Sequence, residues 1–359
     1  MKTHILQSII LVLSLFLIVQ CAGDSEDPIE KQIVQNTRAA QLTAPLNRNT
    51  YDYGDDITAE IQINDPSSIT DLKLTVNGEV IAENINPESQ TISFKATIGG
   101  KVGWYRVSLS YTDKEGKEVV DNRDVAIFSD LEPESKKAII ANTYPHAKTS
   151  YTQGLEFYKG QLFEGTGQYN QSILTEVDLE TGDKIREKPL QDHIFGEGIT
   201  ILNDTIYQIT YRATQCYVYD MDFNLLSTMN YYGEGWGLCN DGEYILMSNG
   251  SSKIVWRDSK SFEIVKELSV FDNQTEVVNL NELELINGDL YVNLYQENRI
   301  AQVDTSSGKV LTYIDCKDLA LDAKDLGNDV LNGIAHNPET GKTYMTGKWW
   351  PKLYEVIFE

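Results

Sequence analysis

Cysteine, histidine, proline and basic charge are all in short supply in this chain, and each shortage removes a class of function. Of the four cysteines, Cys21 follows an apolar leader, and only Cys216, Cys239 and Cys316 remain in the body of the chain. An odd number without close spacing provides no disulfide framework, so these thiols are expected as small buried hydrophobes. Beyond the leader the histidines are His146, His193 and His336, and no two stand at metal-ligand spacing. No metal site and no cofactor is therefore expected. The chain also lacks a nucleophile elbow between strand and helix and a glycine-rich phosphate loop. Lys and Arg number 30 against 54 Asp and Glu, a net charge of −24. Phosphate backbones need a basic surface, so nucleic acid is excluded as a partner. Self-repulsion of this size favours a soluble monomer.

Long apolar runs are missing too, with one exception at the start. Lys2 precedes an apolar stretch over 5–19, broken by Gln7 and two serines and followed by Gln20 and Cys21. The stretch is short for a membrane span and is read as an export signal over 1–20. Cys21 directly after it resembles the lipidated cysteine of bacterial lipoproteins, although Gln20 stands where a small residue is usual. The expected product is exported and held to a membrane by a lipid on Cys21, in the periplasm or at the cell surface. Residues 21–39, with Asp24, Glu26 and Asp27, read as a polar tether.

Twenty tyrosines and scattered Asn-Gly and Asp-Gly pairs point to an all-β chain. Alternating runs at 57–63, 72–76, 91–98, 105–111 and 119–127 predict a small immunoglobulin-like β-sandwich over 40–129. Nothing in it carries chemistry, and a spacer is expected, with carbohydrate binding as the rival. Trp104 and Trp256 fall inside alternating patterns and are read as core.

Residues 130–359 repeat. Gln153, Glu197, Glu234, Asn281 and Asn332 each begin an apolar run, a tight turn and a second run entered at Phe163, Tyr207, Tyr244, Tyr291 and Tyr344. A third run ends at Asp178, Asp220, Asp258, Asp304 and Glu359, and four of the five continue into a fourth. The last set lacks one, which residues 138–142 can supply. Five four-stranded units closed in this way describe a five-bladed β-propeller. Strand starts and second-strand ends then share one face. That face gathers the five polar residues with Gly167, Tyr211, Ser248, Tyr295 and Lys348, and Phe195, Trp236, Trp349 and Trp350 crowd the same end. Aromatic walls around convergent polar groups describe a ligand site. Glu197 and Glu234 both sit among glycines, and spacing does not rank them as proton carriers. Paired-carboxylate glycoside hydrolysis remains a formal alternative.

The motifs YPHAKTSYTQGLEF from Tyr144, FGEGIT from Phe195, EGWGL from Glu234, LNELEL from Leu280, VLNGIAH from Val330 and TGKWWPKLYEV from Thr346 occur in order. They span 144–358 and resemble the plant and bacterial type of glutamine cyclotransferase. That resemblance implies a five-bladed propeller, a pocket on its axis and metal-independent closure of N-terminal glutamine to pyroglutamate on peptides or proteins, with release of ammonia. It also implies Glu197 as the acid–base residue. Gln153, Asn281 and Lys348 would hold the substrate amide and the developing charge, and Phe195 and Trp236 would wall the pocket. Tyr151 stands where phenylalanine is usual, and Tyr211 and Tyr295 where tryptophan is usual, so all three bear on substrate preference. The rival of another class is a non-catalytic propeller that binds peptides or glycans at the same mouth.

Overall fold

The computed structural model describes residues 38–324 and 327–359. The expected signal and Cys21 lie outside the described residues. The outer and N-terminal strands show period-2 patterning, the inner strands of the repeats are buried along most of their length, and a single short α-helix, Lys317–Asp322, is described.

Residues 40–128 form two sheets. One is antiparallel, in the order Ala40–Ala44, Asp56–Ile63, Gln90–Lys95. The other runs Thr50–Asp52, Glu118–Phe128, Gly103–Thr112, Thr70–Val76, Glu79–Ala82. Alternation sends Ile57, Ala59 and Ile61 of one sheet, and Leu72, Leu74, Val107 and Leu109 of the other, into a shared core. The same alternation corrects one expectation. Tyr105, Val107, Leu109 and Tyr111 point inward, so Trp104 points out and is 43% exposed rather than core. The run expected over 91–98 stops at Lys95. Ile98–Gly100 becomes a 3-10 turn, with Gly99 and Gly100 at φ of 72° and 68°.

From Glu134 onward the strands fall into five sets of four. The first set is Thr152–Tyr158, Gln161–Thr166, Ile173–Val177 and Lys184–Pro189, paired in sequence order, and the next two repeat that order. Burial grades across each set: Gly196–Leu202 is buried throughout, whereas the fourth strand Leu225–Asn230 is almost wholly exposed. The first strands pack against one another in a closed cycle, so they are innermost. Glu134–Pro145 joins the last two sets. Its start pairs in parallel with Thr312–Asp315, and its remainder pairs antiparallel with Lys352–Phe358, supplying the strand that the fifth set lacks. Trp256 is core, as expected, and Cys216, Cys239 and Cys316 are free and buried.

Two-residue hairpin turns set the position of the inner strands. Asn203-Asp204 and Asn287-Gly288 take the double positive φ that such turns require. The third set differs: Asn240 pairs with Ile245 across a four-residue turn braced by the Asp241 carboxylate. That turn is centred two residues farther from Glu234 than the corresponding turns are from Gln153, Glu197 and Asn281. Trp236, not Glu234, therefore occupies the place held by Gln153, Glu197 and Asn281 in their sets. Each of these residues precedes the inner strand's close approach to its neighbour. At Gly198 an added Cβ would lie 2.5 Å from the Leu238 amide nitrogen, so only glycine lets the two chains meet there.

Candidate active site

A cavity of about 180 Å³ opens where the inner strands begin. Its lining is Tyr151, Gln153, Phe195, Glu197, Tyr211, Trp236, Asn281, Tyr295 and Lys348. The eight pocket candidates named from the sequence thus meet in one place. Tyr151 joins them, noted before only as a departure from the usual phenylalanine.

Glu197 is the second residue of its strand and only 5% exposed. Among the described residues its carboxylate has no hydrogen-bond partner. Burial pushes its pKa well above the ordinary carboxylate value; the Lys348 charge opposes that shift and the Glu234 charge adds to it. Lys348 is also buried, and its ammonium donates to Gln153 Oε1 at 2.5 Å. Burial lowers the lysine to about 8, against the attraction of Glu197, Asp329 and Glu282. The Lys348 Nζ also lies 4.8 Å from the Tyr151 ring centre and 5.5 Å from that of Tyr295. Burial thus favours the neutral form of both groups, and the charge of each opposes that effect on the other.

The amides are oriented by what they already bind. Gln153 Oε1 accepts from Lys348 and, at 3.4 Å, from Asn332 Nδ2, which leaves the Gln153 Nε2 as the free donor. Asn281 presents the opposite: its Oδ1 is buried and without a partner among the described residues, an acceptor waiting for a donor. Tyr151 meets Phe195 edge-on at 6.1 Å and Trp349 at 4.6 Å, Phe195 meets Tyr211 at 5.8 Å, and Trp236 meets Tyr295 at 5.4 Å. These rings make a water-poor wall.

Several mouth residues expected from the repeat are not in the pocket. Asn332 lies beneath it, donating to the Thr152 carbonyl at 2.9 Å. The Ser248 hydroxyl is spent on the Asn281 carbonyl, and Gly167 packs against the Phe195 ring. Trp350 is 1% exposed, with its indole N–H donated to the Asp329 carbonyl, so it is core. Glu234 sits two residues out from the ring position. Arg212 Nε donates to it at 2.9 Å and Trp236 Nε1 at 3.2 Å. Burial pushes its carboxyl up, but those bonds hold it below the ordinary value. The structure therefore separates the two glutamates that spacing left equal: one is buried and unpaired, the other is a paired rim residue.

A support was missed in the sequence. The buried His146 ring faces Glu164 Oε1 at 3.2 Å with Nε2 and the Trp350 carbonyl at 2.8 Å with Nδ1. Glu164 also accepts from Thr152 and Ser150, at 2.7 Å and 3.0 Å. The pair ties the segment carrying Gln153 to the turn carrying Lys348. Only a fold that brings residues 146, 164 and 350 together reveals it.

The sequence pattern of the glutamine cyclotransferase family matches residues 111–358. The chain belongs to that family. The match begins ahead of Tyr144, where the motifs start, and takes in the strand Glu118–Phe128. A glutaminyl-peptide cyclotransferase of Arabidopsis thaliana is 35% identical over 236 residues, which cover 63% of this chain and 73% of that protein. The crystal structure of a Myxococcus xanthus glutaminyl cyclase is 33% identical, with a TM-score of 0.61 over 64% of this chain and 99% of that one. Both likenesses are those of this family, and the fold is all-β as in the solved relative.

Proposed function

We propose that the pocket closes N-terminal glutamine of peptides or proteins into pyroglutamate, with Glu197 carrying the proton. The observation that carries this reading is the buried, hydrogen-bond-free Glu197 in one aromatic pocket with Lys348. The substrate holds nucleophile and electrophile in one molecule, so orientation supplies much of the acceleration. Its α-amine has a reference pKa of about 7.7–8.0. A carboxyl raised by burial lies nearer that value, which makes proton transfer less uphill. The α-nitrogen attacks the side-chain carbonyl carbon, and Glu197 takes one of its protons. The C–N bond to the side-chain nitrogen then breaks as Glu197 returns that proton, and ammonia leaves. Lys348 and the Gln153 Nε2 stabilise the tetrahedral oxygen, and Asn281 Oδ1 accepts from the substrate's amine or amide. The step needs no metal. Incubation with a short Gln-initiated peptide should give a product lighter by one ammonia, at a rate unchanged by chelator. No mass change would reject the reading and leave the propeller as a binding module.

The architecture we infer is a five-bladed propeller over 130–359 behind an immunoglobulin-like sandwich over 40–129. The five four-stranded sets and the closed cycle of inner strands support the first, and the two sheets around one core support the second. Export and lipid anchoring at Cys21 complete the proposal, resting on the apolar leader that ends there. Cys21→Ala should move the protein from the membrane fraction to the soluble one, because the lipid would be its strong apolar anchor. Equal membrane fractions for both forms would sink the anchor.

A further inference from the structure

The largest cleft among the described residues is not the pocket. It has a volume of about 840 Å³ and lies where the five-stranded N-terminal sheet meets the segment that carries Glu276, lined by Arg48, Asn77, Trp104, Arg106, Asp124 and Glu276 among others. Trp104 gives it an exposed indole face, held in place by donation from its N–H to Glu276 Oε2 at 3.0 Å. Arg106 is neutralised by a two-point pair with Asp124, at 2.8 Å and 3.2 Å. The exposed Arg48 guanidinium makes no hydrogen bond among the described residues, although, after the Arg106 hydrogen bond, its charge helps to hold the Asp124 carboxyl below its ordinary value. One cleft is thus lined by both a cation and an aromatic platform.

The cleft is joined to the pocket by short stretches of chain and the contacts between them. Glu276 lies in the segment that runs from the outer strand Ile264–Ser269 to the inner strand Leu280–Ile286, five residues before the pocket residue Asn281. Its other oxygen accepts from Ser252, two residues from Gly250, and Gly250 packs against the ring of the pocket residue Trp236. From pocket wall to cleft the path is therefore Trp236, Gly250, Ser252, Glu276, Trp104. An extended peptide advances about 3.3 Å per residue, so it would follow such a path over several residues beyond the glutamine.

We propose that this cleft binds the downstream part of the peptide substrate while the N-terminal glutamine occupies the pocket. The inference rests on the cyclotransferase reading and gives the N-terminal sheets a role beyond spacing. Trp and Arg are the side chains that most often anchor a chain at an interface. An aromatic residue of the substrate would lie on Trp104, and a carboxylate or main-chain carbonyl would meet Arg48.

The test compares a Gln-initiated tripeptide with a Gln-initiated peptide of about ten residues bearing tyrosine and glutamate in its second half. The full-length protein should favour the longer peptide through KM. Trp104→Ala and Arg48→Ala should each cut kcat/KM on it by about tenfold, the scale of one anchor residue, and leave the tripeptide unchanged. Absence of a length preference in the wild type would overturn the proposal, as would an equal loss on both peptides, which marks a structural defect. No length preference together with binding of a neutral oligosaccharide that Trp104→Ala abolishes would overturn it in favour of carbohydrate. A wild type inactive on both peptides would remove the cyclotransferase reading and this inference with it.

Discussion

Glu197→Gln should lower the turnover of a Gln-initiated peptide by about 10²–10⁴-fold, the usual worth of a positioned proton carrier. Glutamine keeps the size of the side chain but can neither take the proton from the attacking amine nor return it to the departing ammonia. The fold should survive, because the wild-type carboxylate makes no hydrogen bond that the amide would lose among the described residues. An amide also escapes the desolvation that raises the Glu197 carboxyl. The measurement is kcat on one peptide, with thermal unfolding as the check on structure. Glu234→Gln is the control: its carboxylate is committed to Arg212 and Trp236 on the rim, and its effect should be clearly smaller. Near-normal turnover in Glu197→Gln, with loss in Glu234→Gln, would transfer the proton to the neighbouring set and reject the assignment.

Lys348→Met should cost about 10²–10³-fold in kcat, the range found on removing one donor to a developing oxyanion. It should also change the pH profile. Burial lowers Lys348 to about 8, so its cation is present below that pH and is lost as pH rises through it. Wild-type kcat should therefore decline on the alkaline side near pH 8, and the methionine variant should lack that limb while remaining slow throughout. Gln153 Oε1 keeps its contact with Asn332 Nδ2 in the variant, and thermal unfolding checks that the fold is retained. A variant that keeps both the wild-type rate and the alkaline decline would show that Lys348 does not face the reacting oxygen.

The two predictions differ in what they ask of the surroundings. Glu197 depends on the aromatic walls that keep water from it, whereas Lys348 depends on the segment braced by His146 and Glu164. Burial opposes charge on both members of that pair. Their mutual attraction outweighs it, holding the histidine above its ordinary value and the carboxyl below. The brace is thus an ion pair under the pocket floor, on the side that carries Gln153 and Lys348.

Much of the molecule was legible in the sequence because β structure writes itself in period 2. Hairpin turns with Asn, Asp and Gly, the repeat of polar residue and aromatic, and the missing last strand all survive as spacing along the chain. Six of the eight pocket residues could be named in advance for the same reason, since strand starts and strand ends at fixed offsets fall on one face, and Phe195 and Trp236 were named as aromatics at that end and by the family motifs. Tertiary structure alone decided the rest. Trp104 and Trp350 exchanged their expected places, since the phase of an alternation and the depth of a turn depend on what packs opposite. Glu234 left the ring because the turn of its set falls two residues later than in the others, a shift that the count of ten residues to Tyr244 concealed. Which glutamate is buried without a partner, and which is held by an arginine, is a matter of neighbours far apart in sequence. Burial and pairing set a carboxyl's acidity, and neither exists until the chain has closed.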